Sequence, residues 1–231
     1  MSGLVLVLRP EPGATATAAR ARRLGLEPIV APLFAVRPLA WDAPDPSGFD
    51  GVLLTSAHAA RQAGSQLARF LHLPCHAVGE ATAAAAGEAG FAELRIGAGD
   101  GAAAVAAAGG GRLLHLCGRD HIPLEHAAAG IERRIVYAAD AVAALPHEAR
   151  RALAGGALAL IHSPRAGSLF ATLVDRAEAP RSHIALAAIS EAAAAAAGFG
   201  WRFAAAAARP RDEALLELAA QLCQTERQVR E

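Results

Sequence analysis

Short apolar runs rich in Val, Leu and Ile alternate along the chain with Ala/Arg/Glu/Leu segments in which apolar positions recur at helical spacing. The runs fall near Leu4 to Leu8, Glu27 to Val36, Gly51 to Thr55, His76 to Gly79, Glu93 to Ile96, Arg112 to Leu116, Arg133 to Tyr137, Ala157 to His162, His183 to Ile189 and Trp201 to Ala205. This β-α alternation predicts about ten strands in parallel sheets flanked by helices, an α/β fold.

Two stretches punctuate the pattern, PLAWDAPDPSG (Pro38 to Gly48) and ALPHE (Ala144 to Glu148), and both look like crossings between domains. Five strands lie between them, three follow Glu148, and the two before Pro38 complete a second set of five. The expectation is a discontinuous domain of residues 1–38 and 143–231, with residues 39–142 inserted as a second. Internal resemblance supports a duplication: GVLLTSAHAAR (Gly51 to Arg61) matches ALALIHSPRAG (Ala157 to Gly167), setting Ser56 against Ser163. HAVGEATAAAAGEAGF (His76 to Phe91) matches LAAISEAAAAAAGFGW (Leu186 to Trp201), setting Gly79 against Ser190.

Composition narrows the chemistry. The chain has 231 residues, 54% of them hydrophobic, and a formal net charge of zero; its 22 basic residues are all Arg. Without Lys there is no ammonium for a Schiff base or a P-loop, which excludes pyridoxal phosphate catalysis and P-loop NTPase activity. The neutral balance argues against nucleic-acid binding. Cys75, Cys117 and Cys223 are scattered, odd in number and without CxxC spacing, which fits a reduced cytosolic compartment. The start, MSGLVLVLRP, has too short an apolar run and no basic leader for a signal peptide or membrane span, so a cytoplasmic protein without membrane contact is expected. The nine His residues form no HExxH pair and no Ser lies in GxSxG, so neither metal hydrolysis nor a Ser triad has support.

The chemistry that remains is anion binding at strand ends. Apolar strands end in Thr55-Ser56 and in Ser163, each followed at once by a helix whose first N–H groups and dipole favour a carboxylate. The alternative role for Ser56, Ser163 and Ser190 is to cap their own helices. Gly79, Thr82, Gly118 and Arg119 share the predicted carboxyl-end rim, where ligands of open α/β sheets collect. Arg119 and Arg165 each offer a planar bidentate fork or, alternatively, are solvated surface residues, and Arg9 is expected to bind substrate as well. Tyr137, the sole Tyr, ends the last strand before the return crossing and is expected to face the cleft between the domains. Protonated at neutral pH, it is a weak general acid or, alternatively, a packing residue.

Taken in order, LVLVLRPEPGATATAARARRLGLEPIVAPLFAV, VLLTSAHAAR, AVGEATAAAAGEAGF, LLHLCGRD, IVYAAD, LIHSPRAG, AAISEAAAAAAG and the final RPRDEALLELAAQL resemble the uroporphyrinogen-III synthase family over nearly the whole chain. The resemblance implies two similar parallel-sheet, flavodoxin-like lobes joined by a two-stranded linker. It implies conversion of hydroxymethylbilane to uroporphyrinogen III, with ring D inverted through a spiro intermediate and water lost, using no cofactor and no metal. By motif, Tyr137 matches the Tyr proposed to assist hydroxyl departure, Thr55 and Ser56 the first-lobe turn, and Gly79 with Thr82 the Gly-x-x-Thr turn. Ser163 and Ser190 occupy the corresponding turns of the other lobe. The chain departs from the pattern at Ser190 and Ala193, where Gly and Thr are common, at His58, where Asn or Arg is common, and at the Ala after Tyr137. A small-molecule substrate and a monomer are expected. The rival reading is a non-catalytic bilobal α/β binding protein for a polycarboxylate.

Overall fold

The computed structural model describes residues 3–97, 101–121, 123, 124 and 129–228. Its strands are β1 (Leu4–Val7), β2 (Glu27–Val30), β3 (Phe34–Pro38), β4 (Gly51–Leu54), β5 (Cys75–Ala77), β6 (Leu94–Ile96), β7 (Gly111–Gly118), β8 (Ala129–Ala141), β9 (Leu158–Ile161), β10 (Ala185–Ala188) and β11 (Phe203–Ala206). Its helices are α1 (Gly13–Arg23), α2 (Ala57–Gln62), α3 (Glu80–Glu88), α4 (Gly101–Ala107), α5 (His147–Ala154), α6 (Pro164–Arg176), α7 (Glu191–Ala197) and α8 (Asp212–Gln228). The chain divides into two compact units, Met1–Ala35 with Ala141–Glu231, and Val36–Asp140.

The first unit holds a five-stranded sheet in the order β11-β10-β9-β1-β2, and its strands pair in parallel. Numbered in chain order within the unit and read from β2, this is 2-1-3-4-5, the flavodoxin order. The central strands LALI and ALAA are buried along their whole length, as a parallel sheet covered by helices on both faces requires. One face packs Val5, Val7, Leu158 and Leu160 against Ala14, Ala21, Leu215, Leu216 and Cys223 of α1 and α8. Each fully buried Leu is worth roughly 2 kcal/mol of transfer free energy.

The second unit holds the six-stranded sheet β3-β8-β7-β4-β5-β6, in which β8, β7, β4, β5 and β6 run parallel. Its main core gathers Val52, Leu54, Leu114, Leu116 and Val136 with Trp41, Phe49 and Phe70. Without β3, the spatial order β6-β5-β4-β7-β8 repeats β11-β10-β9-β1-β2 strand for strand. The two sheets are therefore circular permutations of one arrangement, with β1 and β2 filling the places that β7 and β8 take in the second unit. The matched motifs after β4 and β9, and after β5 and β10, occupy equivalent positions.

The apolar run Glu27 to Val36, expected as one strand, is two: β2 belongs to the five-stranded sheet and β3 to the six-stranded one. Pro32 lies in the break, and a residue without an N–H cannot sustain a ladder through a sheet interior; Pro28 is tolerated inside β2 because that strand is at the sheet edge. Strand β8 is longer than expected, because it continues past Tyr137 to Ala141. Among the described residues no helix is long and apolar enough to cross a membrane.

Candidate active site

In the second unit the carboxyl ends of β4, β5 and β7, with Tyr137 on β8, form one rim, because these strands are adjacent and parallel. Seven expected site residues meet there: Thr55, Ser56, Gly79, Thr82, Gly118, Arg119 and Tyr137. Ser56 caps α2, its Oγ accepting from His58 N–H at 3.2 Å. That bond uses an oxygen lone pair and leaves the hydroxyl proton to donate. Gly79 precedes α3 in extended backbone, with no side-chain cap, and a Cβ placed on it would meet nothing within 4 Å. The start of α3 thus opens onto free space with its first N–H groups unanswered by a cap. Glu80 in the same turn answers part of the helix dipole. Thr82, in that first turn, is 6% exposed.

Gly118 is there for steric reasons. It pairs with Tyr137 across a β-bulge at Cys117/Gly118, and a Cβ on it would stand 2.6 Å from the Tyr137 Cζ. Arg119 N–H donates to Tyr137 O at 2.9 Å, so the strand end is pinned while the ring lies across the missing side chain. The Tyr137 ring is partly buried against the main core, and the His58 ring is tilted 5.7 Å away. Arg119 does not present an open fork: its Nη2 donates to Asp140 at 2.6 Å, and Arg37 Nε donates to the other oxygen at 2.6 Å. Those two guanidinium hydrogen bonds, Arg37 first, hold the Asp140 carboxyl below its ordinary range.

The remaining expected site residues, Arg9, Ser163, Arg165 and Ser190, lie at the carboxyl rim of the five-stranded sheet. Ser163 and Ser190 cap α6 and α7, accepting from Ala166 N–H at 3.1 Å and Ala193 N–H at 3.3 Å. The capping alternative therefore describes three of the expected Ser contacts, each with a proton still to donate. The Arg165 guanidinium sits 4.5 Å over the Phe34 ring. Arg9 joins a network centred on Asp212, the first residue of α8: Asp212 Oδ1 accepts from Thr17 Oγ1 at 2.8 Å, His162 Nε2 at 2.9 Å and Arg9 Nη1 at 3.4 Å, and Oδ2 accepts from Arg20 at 2.9 Å. Burial pushes the Asp212 carboxyl up, but the His162 and Thr17 hydrogen bonds and the Arg9 charge outweigh it and bring it down to about 2. Burial pushes His162 down, against the hydrogen bond and charge of Asp212, and its Nε2–H donates to the acceptor-only carboxylate.

Sequence reasoning missed His162, Asp212 and His115. His162 occupies the place of Thr55 in the repeat, a signal visible in the matched strand-end motifs. A groove of about 540 Å³ lined by Trp41, Gln62 and Gln66 lies at the other end of α2 from Ser56, with no charged cluster to give it chemistry. Among the described residues no group of three or more His, Cys, Asp or Glu is arranged to hold a metal ion.

Comparison with known proteins agrees with this fold. Uroporphyrinogen-III synthetase from Helicobacter pylori 26695 superposes with a TM-score of 0.62 at 17% identity, covering 96% of this chain and 100% of that one. A mutant uroporphyrinogen III synthase from the extremely thermophilic bacterium Thermus thermophilus superposes with a TM-score of 0.54 at 18% identity, covering 96% of this chain and 98% of that one. At such identities the likeness speaks for the fold. No curated protein sequence gives a significant match. The family model described as uroporphyrinogen-III synthase HemD matches residues 15–217, and over that span, most of its length, the chain belongs to the uroporphyrinogen-III synthase family.

Proposed function

We propose that this chain performs its family's cyclising lyase reaction chiefly by holding the acid arms of hydroxymethylbilane, with Tyr137 assisting the departing hydroxyl. The observation that carries this is the rim of the six-stranded sheet. There an uncapped helix start, the Thr55, Ser56 and Thr82 hydroxyls and the sole Tyr phenol share one strand-end edge. Hydroxyl and amide donors bind carboxylates without needing a mobile charge. Thr55, Ser56, Gly79 and Thr82 are assigned to carboxylate binding at this rim, and Ser163, Ser190, Arg9 and Arg165 to the other. Gly118 makes room for the Tyr137 ring, and Arg119 steadies the strand end.

In the reaction the terminal hydroxyl leaves as water, taking the phenolic proton of Tyr137, while the pyrrole nitrogen lone pair forms the azafulvenium, whose N–H proton returns to the phenolate to give the azafulvene. The substituted carbon of ring D attacks that electrophile, and the resulting spiro intermediate opens and recloses with the ring turned over. Unassisted, the bilane closes to the type I isomer, so orientation is the main contribution. A phenol with pKa near 10 is a weak acid at neutral pH, in keeping with a secondary role for proton transfer.

The test supplies freshly made hydroxymethylbilane, oxidises the product and resolves type I from type III porphyrin. Excess type III is expected; type I alone, at the uncatalysed rate, favours a binding protein instead. A monomer acting in the cytoplasm without a cofactor completes the reading, and sedimentation at working concentration checks the first of these.

A further inference from the structure

His115 lies in the apolar strand β7, fully buried, at the point of the six-stranded sheet where strand order reverses between β4 and β7. Its Nε2 is 3.0 Å from the Thr55 Oγ1, and its Nδ1 is buried with no hydrogen-bond partner among the described residues. We infer that His115 is a positioning residue: its Nε2–H donates to Thr55 Oγ1, so that the Thr55 hydroxyl proton is left to point at a substrate carboxylate. This rests on the proposed role of Thr55 in carboxylate binding.

The tautomer decides the matter. A neutral ring carries one N–H. A proton on Nδ1 would be a buried donor with nothing to receive it, and Nε2 would then consume the Thr55 proton as an acceptor. A proton on Nε2 leaves a bare lone pair at Nδ1, and a buried unmet acceptor is tolerated better than a buried unmet N–H. The ring stays neutral because burial, with the His121 ring and the Arg133 guanidinium near it, pushes His115 down to about 4. A hydroxyl whose lone pair is occupied by a fixed donor has its own proton directed elsewhere. Ser56 next to it is left with a free proton in the same way, its lone pair taken by the backbone N–H of its own helix start.

Two experiments test this. In the wild-type protein, long-range proton–nitrogen NMR of the His115 ring is expected to show protonated Nε2 and bare Nδ1; protonated Nδ1 overturns the inference without any variant having to fold. In kinetics, His115→Phe is expected to raise KM for hydroxymethylbilane about tenfold, the loss of one hydrogen bond to a charged group, with kcat little changed. His115→Gln, whose amide N–H reaches the same place, restores KM. In the Thr55→Val background, His115→Phe adds nothing further, because the two residues act as one unit. Additive losses, or an unchanged KM in folded His115→Phe while Thr55→Val raises it, overturn the positioning role and leave carboxylate binding by Thr55 standing. An unchanged KM in Thr55→Val removes that binding role and the inference with it.

Discussion

In the unit that carries Arg9, the place where strand order reverses is filled by Asp212 and the four side chains bonded to it. In the unit that carries Tyr137, the equivalent place holds the Thr55–His115 pair beside an uncapped helix start. The two sheets have the same spatial order of strands, and Thr55 and His162 are equivalent in the repeat, yet one turns inward to a carboxylate of its own chain. The lesson is that equal topology does not give equal chemistry. A carboxylate supplied from within by α8 engages Arg9, Thr17 and His162 at one rim, while at the other the Thr55, Ser56 and Thr82 hydroxyls are the ones proposed to take a carboxylate from outside.

The largest effect is expected from removing that internal carboxylate. Asp212→Ala strands His162 and Arg9 without their shared acceptor and should cost about 3 kcal/mol. The chain has one Trp in each unit: Trp201 stacks on Phe170 in the first and Trp41 on Phe70 in the second. Urea unfolding followed with single-Trp proteins should show the Trp201 transition shifted and the Trp41 transition in place; equal shifts would abolish the contrast. The same contact has a pH signature. Asp212 is held at about 2, below the ordinary ~3.9, so its contribution is complete above pH ~4 and fades as pH falls through about 2. A loss of about 2 kcal/mol over that window should be absent in Asp212→Ala.

Next in size is Tyr137→Phe, expected to lower kcat by at most about a hundredfold and to leave type III product detectable. Complete loss in a folded variant would show that proton transfer outweighs positioning. Smaller again is Gly79→Ala. Its backbone is extended and a Cβ meets open space, so stability should change by less than ~0.5 kcal/mol. If α3 receives a carboxylate there, KM should rise about fivefold as the methyl crowds the amides. An unchanged KM would remove α3 from the binding rim. Smallest is Ser190→Ala, which should cost about 1 kcal/mol by loss of the α7 cap, read from the Trp201 transition; a much larger cost would mean that its hydroxyl holds more than its own helix.

The α/β class, the strands and the Ser-bearing turns were legible because burial on both faces writes itself as apolar runs and capping writes itself as Ser before a helix. Glu27 to Val36 was misleading for the same reason: an apolar run says that backbone is buried, and says nothing of which sheet buries it. Asp212 with Arg9, and Thr55 with His115, were invisible because their pairing depends on strands brought together from distant parts of the chain. A lone His in LLHLCG looks like core until Thr55 is seen beside it. The closeness of Gly118 to Tyr137 is likewise a property of the β7–β8 register and its bulge.

The permuted order of the five-stranded sheet also dictates a schedule for synthesis. Strand β1 is interior, bonded to β9 along Val5–Leu158, Leu6–Ala159 and Val7–Leu160, so LVLV leaves the ribosome while the whole intervening unit is still untranslated. That intervening unit can close its own sheet early, whereas β1 must wait with an apolar edge exposed, the condition that invites aggregation or a chaperone. Nascent-chain experiments should therefore find the Tyr137 unit protease-resistant on the ribosome before the Arg9 unit acquires any protection.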